Sequence, residues 1–136
     1  MALWRFLEYQ SDTLGCPFRD WYAEQLVEVQ AVFEAAIDIL AATEDWHDRE
    51  LKYFEVFTRK PEHLGLAQVR FEYMENPKKK RQFRVIGLWR EELGEFIFLM
   101  GFEKAGRSPN PANAFEVAQD LRIQIEEERG LIYDHT

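Results

Sequence analysis

The chain has 136 residues, 46% of them apolar and 15% aromatic, which excludes a disordered polymer and gives material for one domain with a packed core, residues 1–136. No apolar run reaches ~18 residues, so no membrane-spanning helix is expected, and the single cysteine, Cys16, excludes an internal disulfide or a cysteine-caged zinc. The net charge of −8 speaks against a general nucleic-acid binder.

The distribution of charge is uneven. Residues 1–51 hold 3 basic and 11 acidic side chains, residues 52–109 hold 12 and 8, and residues 110–136 hold 2 and 6. A basic middle segment lies between acidic flanks. A local positive face can hold a polyanion on a negative molecule; the plainer reading is solubilising charge with incidental asymmetry. One cysteine suits a reducing cytoplasm, and Met1-Ala-Leu-Trp-Arg lacks the basic-then-apolar form of a signal peptide.

In chain order, residues 3–10 alternate as a first strand. A turn over residues 11–15 leads to Pro17, placed at a helix start with Cys16 at the cap and Asp20 in the first turn. Tyr22, Leu26, Val29, Phe33, Ala36 or Ile37, and Leu40 recur at spacings of three and four, which predicts one long helix ending near Ala42. Residues 43–46 read as a short helix or turn, residues 53–58 as a short strand by propensity, and residues 61–65 as a loop.

Residues 66–109 organise the rest. Ala67, Val69, Phe71 and Tyr73 share one parity and Gln68, Arg70 and Glu72 the other, the period of a half-buried strand. Phe83, Val85, Gly87 and Trp89 repeat it, and residues 96–102 are apolar on both parities, as in a strand covered on both faces. Asn76-Pro77 and the run from Glu91 to Gly94 supply turns. Asn110-Pro111 has the form of a helix start, with Ala114, Val117 or Ala118, Leu121 and Ile125 inward and Gly130 as the stop. Three acidic residues, Glu126 to Glu128, oppose the dipole at that end.

The expectation is an α+β fold: a mostly antiparallel sheet, made of the N-terminal strand and a three-stranded meander, packed against a long N-terminal helix and a C-terminal helix. The predicted core is Leu26, Val29, Phe33, Ile37, Leu40, Val69, Phe71, Val85, Phe96, Phe98, Met100 and Leu121.

Residues for chemistry are few. His47, His63 and His135 show no ligand spacing, so neither a metal nor a cofactor is expected. No phosphate loop and no nucleophile elbow is present. Cys16 at a helix N-terminus reads either as a favoured thiolate or, more simply, as a cap. The remaining candidates are cations. Arg70 and Arg84 lie off the apolar parity of their strands, and Lys104 and Arg107 follow directly on the third. With the meander in register, these four are expected to converge on one open face or edge. Cations around a phosphate stabilise charge that develops when a ribose 2′-hydroxyl attacks it, and strand aromatics suit stacking on an unpaired base. The alternative is that these arginines pair with Glu72 or Glu75 on a solvated face.

The run from Gly65 to Phe71, then Phe83-Arg84-Val85-Ile86, then the run from Phe98 to Lys104, then residues 109–118, together with Gly15 to Trp21 at the helix entry, resembles the phage-derived, HigB-like branch of the RelE/ParE toxin superfamily. The chain carries Gln68 where that pattern has Glu, and Ala105 where it has a second lysine. The resemblance implies a RelE-like fold and a small cytoplasmic toxin of a type II toxin–antitoxin pair, which cleaves mRNA on the ribosome without metal. It implies an antitoxin with a helix-turn-helix domain as partner, with no membrane, and leaves a homodimer open. Carried over by position, Arg70, Arg84 and Lys104 are the catalytic residues. Lys78, Lys79, Lys80, Arg81 and Arg107 are the RNA-binding cations. The other readings are a decayed or phage-derived protein on the same fold working through protein contacts, and a gyrase-directed, ParE-like toxin.

Overall fold

The computed structural model describes residues 4–47, 52–58, 60, 63 and 65–135. Its elements are β1 (Arg5–Gln10), α1 (Pro17–Ala23), α2 (Val27–Ala41), β2 (Phe54–Val56), β3 (Leu66–Asn76), β4 (Lys79–Arg90), a 3-10 turn (Glu91–Leu93), β5 (Glu95–Ala105), β6 (Ser108–Asn110), α3 (Ala114–Glu126) and β7 (Leu131–Asp134). The fold is α+β. The seven-stranded sheet runs β2-β3-β4-β5-β1-β7, with β6 also paired to β5. β1 is parallel to β5, and the other pairs are antiparallel. Among the described residues no helix is long and apolar enough to cross a membrane.

The meander forms as its alternation predicts, and residues 53–58 do contain a strand. The predicted single long helix does not form. α1 and α2 are separated at residues 24–26, where Leu26 is extended (φ −58°, ψ 147°) and 50% exposed rather than in the core. At the end of α1 the Trp21 and Tyr22 carbonyls accept tightened backbone bonds from Glu24 at 3.2 Å and Gln25 at 3.1 Å, and side-chain amides add a second donor to each: Gln25 to the Trp21 carbonyl at 2.9 Å and Gln30 to that of Tyr22 at 2.8 Å. The break lets the two helices cover different strands. α1 sets Trp21 against Gly101 of β5, where a Cβ would overlap the indole, while α2 sets Phe33 against Phe71 of β3 at 5.4 Å between ring centroids.

Three further differences lie in the last third. Asn110-Pro111 does not open the last helix. Asn110 ends β6, its backbone committed to Glu103 of β5, and the helix starts at Ala114 behind Asn113. Gly130 does not stop that helix, which ends at Glu126. Gly130 instead leads into β7 at φ +73°, pressed so close to Tyr9 and Gln10 that no Cβ fits. β6 and β7 themselves are short strands that the sequence pattern did not announce.

Both faces of the sheet are covered. Phe18, Phe33, Phe83, Phe96 and Phe98 fill the α1–α2 face, and Trp46, 3% exposed, closes its end by stacking on Trp4 and donating to the Leu40 carbonyl at 2.9 Å. α3 lies on the opposite face, its Phe115 ring 5.5 Å from that of Phe102. β1 is buried on both sides: Tyr9 donates to the Arg129 carbonyl at 2.7 Å, and Glu8 is tied to Arg19 and His135.

Candidate functional site

Arg70 and Arg84 are direct partners across the β3–β4 ladder, so their side chains leave the same face of the sheet. Arg84 is in turn opposite Phe102 of β5. Lys104 shares that face because of a bulge. Ile86 is opposite Met100, yet Gly87 is opposite Phe98, so Leu99 is an extra residue in β5 and the side-chain parity inverts there. Before the bulge, Phe96 and Phe98 point to the α1–α2 face; after it, Phe102 and Lys104 point to the α3 face. Without the extra residue Lys104 would lie on the wrong side of the sheet.

Arg70, Arg84, Lys104 and Arg107 line one cleft of about 300 Å³. Glu55 of β2 is the one carboxylate among the residues that line it, and Gln68 and the rings of Phe57, Phe102 and Phe115 complete it. Glu55 is already engaged: it accepts from the Gln68 amide at 2.9 Å and from Arg70 Nη1 at 3.4 Å. Arg84 makes no ion pair among the described residues. Its Nη1 donates to the Phe83 carbonyl at 2.9 Å and its Nη2 to Gln82 at 3.4 Å. Burial, and then the facing Arg70, pull its pKa below the ordinary guanidinium range, with Glu55 and Glu72 opposing. The Nε of Arg70 is buried with no hydrogen-bond partner among the described residues. The charged tips of Lys104 and Arg107 have no partner among the described residues. Four cations against one occupied carboxylate make a site whose electrostatics favour an anion.

The solvated-face alternative does not describe Arg84. Glu72 is taken by Lys80 at 3.5 Å and Glu75 by Lys79 at 3.0 Å and Arg81 at 3.7 Å. Of the other cations singled out above, Arg107 joins the cleft. Lys78, Lys79, Lys80 and Arg81 sit at the far end of the β3–β4 hairpin and do not line it. Lys79, Lys80 and Arg81 belong to β4 rather than to a turn. Arg81 faces the other side of the sheet, over the Phe83 ring, in a two-bond pair with Glu103 at 2.8 and 2.7 Å.

Cys16 occupies the N-cap position of α1, as expected, but its side chain makes no capping hydrogen bond to the helix. Burial pushes the thiol up, so a thiolate is not favoured there.

The residues that pattern reading missed are Glu55, Phe57 and Phe115. Glu55 and Phe57 had a signal: they share a parity in the short strand at residues 53–58. Phe115 had none, since the predicted helix placed Ala114 and Val117 or Ala118 inward. A second cavity of about 580 Å³ adjoins the cleft through these same three residues and continues to Thr58, Lys60 and His63.

The chain matches no protein-family model, no curated protein and no solved structure.

Proposed function

We propose that this protein is the toxin of a type II toxin–antitoxin pair, a RelE-like, ribosome-dependent mRNA endoribonuclease, with the cationic cleft as the seat of the scissile phosphate. The observation that carries the reading is Arg84: a half-buried guanidinium with no carboxylate partner among the described residues, facing Arg70 and sharing its cleft with Lys104 and Arg107. In a chain of net charge −8, that concentration of unmatched cation calls for an anion of matching shape. The order of elements supports the reading as well: a first strand, helices, a meander and a C-terminal helix follow the succession that the resemblance implies, with β7 added after that helix.

The chemistry assigned to the cleft is charge stabilisation. Attack of the 2′-oxygen on phosphorus, its proton passing to solvent, forms a 2′,3′-cyclic phosphate and builds negative charge on the non-bridging oxygens while the bond to the 5′-oxygen breaks. Arg70 and Arg84 offer planar donor forks to those oxygens, and Lys104 at the rim neutralises or protonates the leaving oxygen. The partners in this reading are translated mRNA in the cytoplasm, the ribosome, and an antitoxin with a helix-turn-helix domain.

A second reading has its own support. Among the residues lining the cleft, no histidine–carboxylate pair is set to move protons, which suits an anion-binding protein on the same fold that does no chemistry. Induced expression separates the two. The nuclease slows growth and creates new 5′ ends within translated messages; the binding protein leaves messages whole at the same level of folded protein.

A further inference from the structure

The cavity beside the cleft, of about 580 Å³, has a different character from the cleft itself. Three rings form its wall. His63 stacks on Phe115 at 4.9 Å with 22° between planes, Phe57 meets Phe115 edge-on at 5.3 Å, and Phe57 meets His63 at 5.7 Å. Lys60 stands at the rim. Glu55 lines both spaces, so a group held there is next to the anion seat.

We propose that this cavity is a guanine-selective nucleobase pocket in which Glu55 reads the base, a proposal that rests on the neighbouring cleft holding an RNA phosphate. Aromatic walls are what an unstacked base needs, and they accept every base alike. Selectivity must come from the polar group. A carboxylate has roughly four acceptor positions and no donor. Gln68 at 2.9 Å and Arg70 at 3.4 Å occupy two of them and hold the carboxylate in a fixed orientation, while half of the side chain remains exposed. On its Watson–Crick edge guanine alone presents two adjacent donors, N1–H and the 2-amino group. Adenine sets one donor beside one acceptor, cytosine sets one donor beside two acceptors, and uracil sets one donor between two acceptors. An acceptor-only partner therefore satisfies guanine and meets a lone pair on each of the others.

The test uses the purified full chain and the four ribonucleoside 3′-monophosphates, titrated at low salt by calorimetry or by amide chemical shifts. GMP should bind tighter than AMP by about tenfold or more, the worth of one good two-bond contact. Glu55→Gln should bring GMP level with AMP while inorganic phosphate binds as well as before or better, and Phe115→Ala should weaken all four. Melting curves establish that each variant is folded. Equal affinity for GMP and AMP in the wild type, a guanine preference that survives Glu55→Gln, or no binding of any nucleotide at millimolar concentration would each overturn the pocket. The outcome is separable from the nuclease reading: a guanine preference without message cleavage supports the pocket alone, and cleavage without a guanine preference counts against the pocket alone.

Discussion

His135 and Glu8 form an ion pair at 2.6 Å inside the core, with side chains 4% and 9% exposed, and this contact pins the end of the chain to β1. Glu34 reaches the other ring nitrogen at 2.7 Å and accepts from the Tyr22 hydroxyl at 2.9 Å, while Arg19 pairs with Glu8 from α1. The rings of Phe98 and Phe18 close around the imidazole at 5.1 and 5.9 Å. Burial by itself disfavours the imidazolium. The hydrogen bonds and charges of Glu34 and Glu8 outweigh it and raise His135 from 6.5 to about 9.

The pH dependence follows from that shift. The stability contributed by His135 is complete below pH 6.5, where the unfolded imidazole is protonated too, and it is lost as pH rises through about 9. The size is about 3 kcal/mol. On the acid side Glu8 and Glu34, both lowered, lose their contributions as pH falls through their folded-state values. Melting temperature should therefore fall between pH 6.5 and 9, and His135→Gln should flatten the curve in that window. A wild-type melting temperature constant across the window contradicts the pairing.

The helix break can be read from a pair of substitutions. Phe33 is 1% exposed and touches Phe18, Tyr22, Phe71 and Phe98. Phe33→Ala should cost about 3–5 kcal/mol in a denaturant melt. Leu26→Ala, at the exposed junction of α1 and α2, should stay within about 0.5 kcal/mol. A continuous helix would bury Leu26 and make the two costs comparable.

Gly101 tests how closely α1 rests on the sheet. A Cβ at this position penetrates the Trp21 indole, so Gly101→Ala must push α1 outward. The expected loss is about 1–3 kcal/mol, accompanied by a change in tryptophan fluorescence. A neutral substitution with unchanged emission would place Trp21 elsewhere.

The parity of β3 and β4 was legible in the sequence, and with it the shared face of Arg70 and Arg84. The stripe of α2 was legible for the same reason: a regular period survives in the residue order. Lys104 was legible as a cation at the end of the apolar run, but it lies within β5 rather than after it, and its face was not legible. Residues 96–102 are apolar on both parities, so nothing local reveals that Leu99 is the extra residue that inverts β5. The break at Leu26 was hidden because the apolar spacing runs straight through it, and only the separate demands of β5 and β3 divide the helix. β7 was hidden because Leu131, Ile132 and Tyr133 are exposed on an edge strand, and its hold on the core comes through one histidine beyond its end.

In the proposed reaction the guanidinium of Arg84 holds the scissile phosphate. The direct measurement is the rate of message cleavage on translating ribosomes, read from mapped 5′ ends, for wild type, Arg84→Ala and Arg84→Lys at matched levels of folded protein. Removing a donor that acts in the transition state costs about 2.7–4 kcal/mol, a hundredfold or more in rate, and a lysine cannot restore a planar fork. Both variants should therefore lose cleavage while melting close to the wild type. Cleavage within a few-fold of wild type in folded Arg84→Ala, or intact transcripts with the wild-type chain itself, would contradict the account.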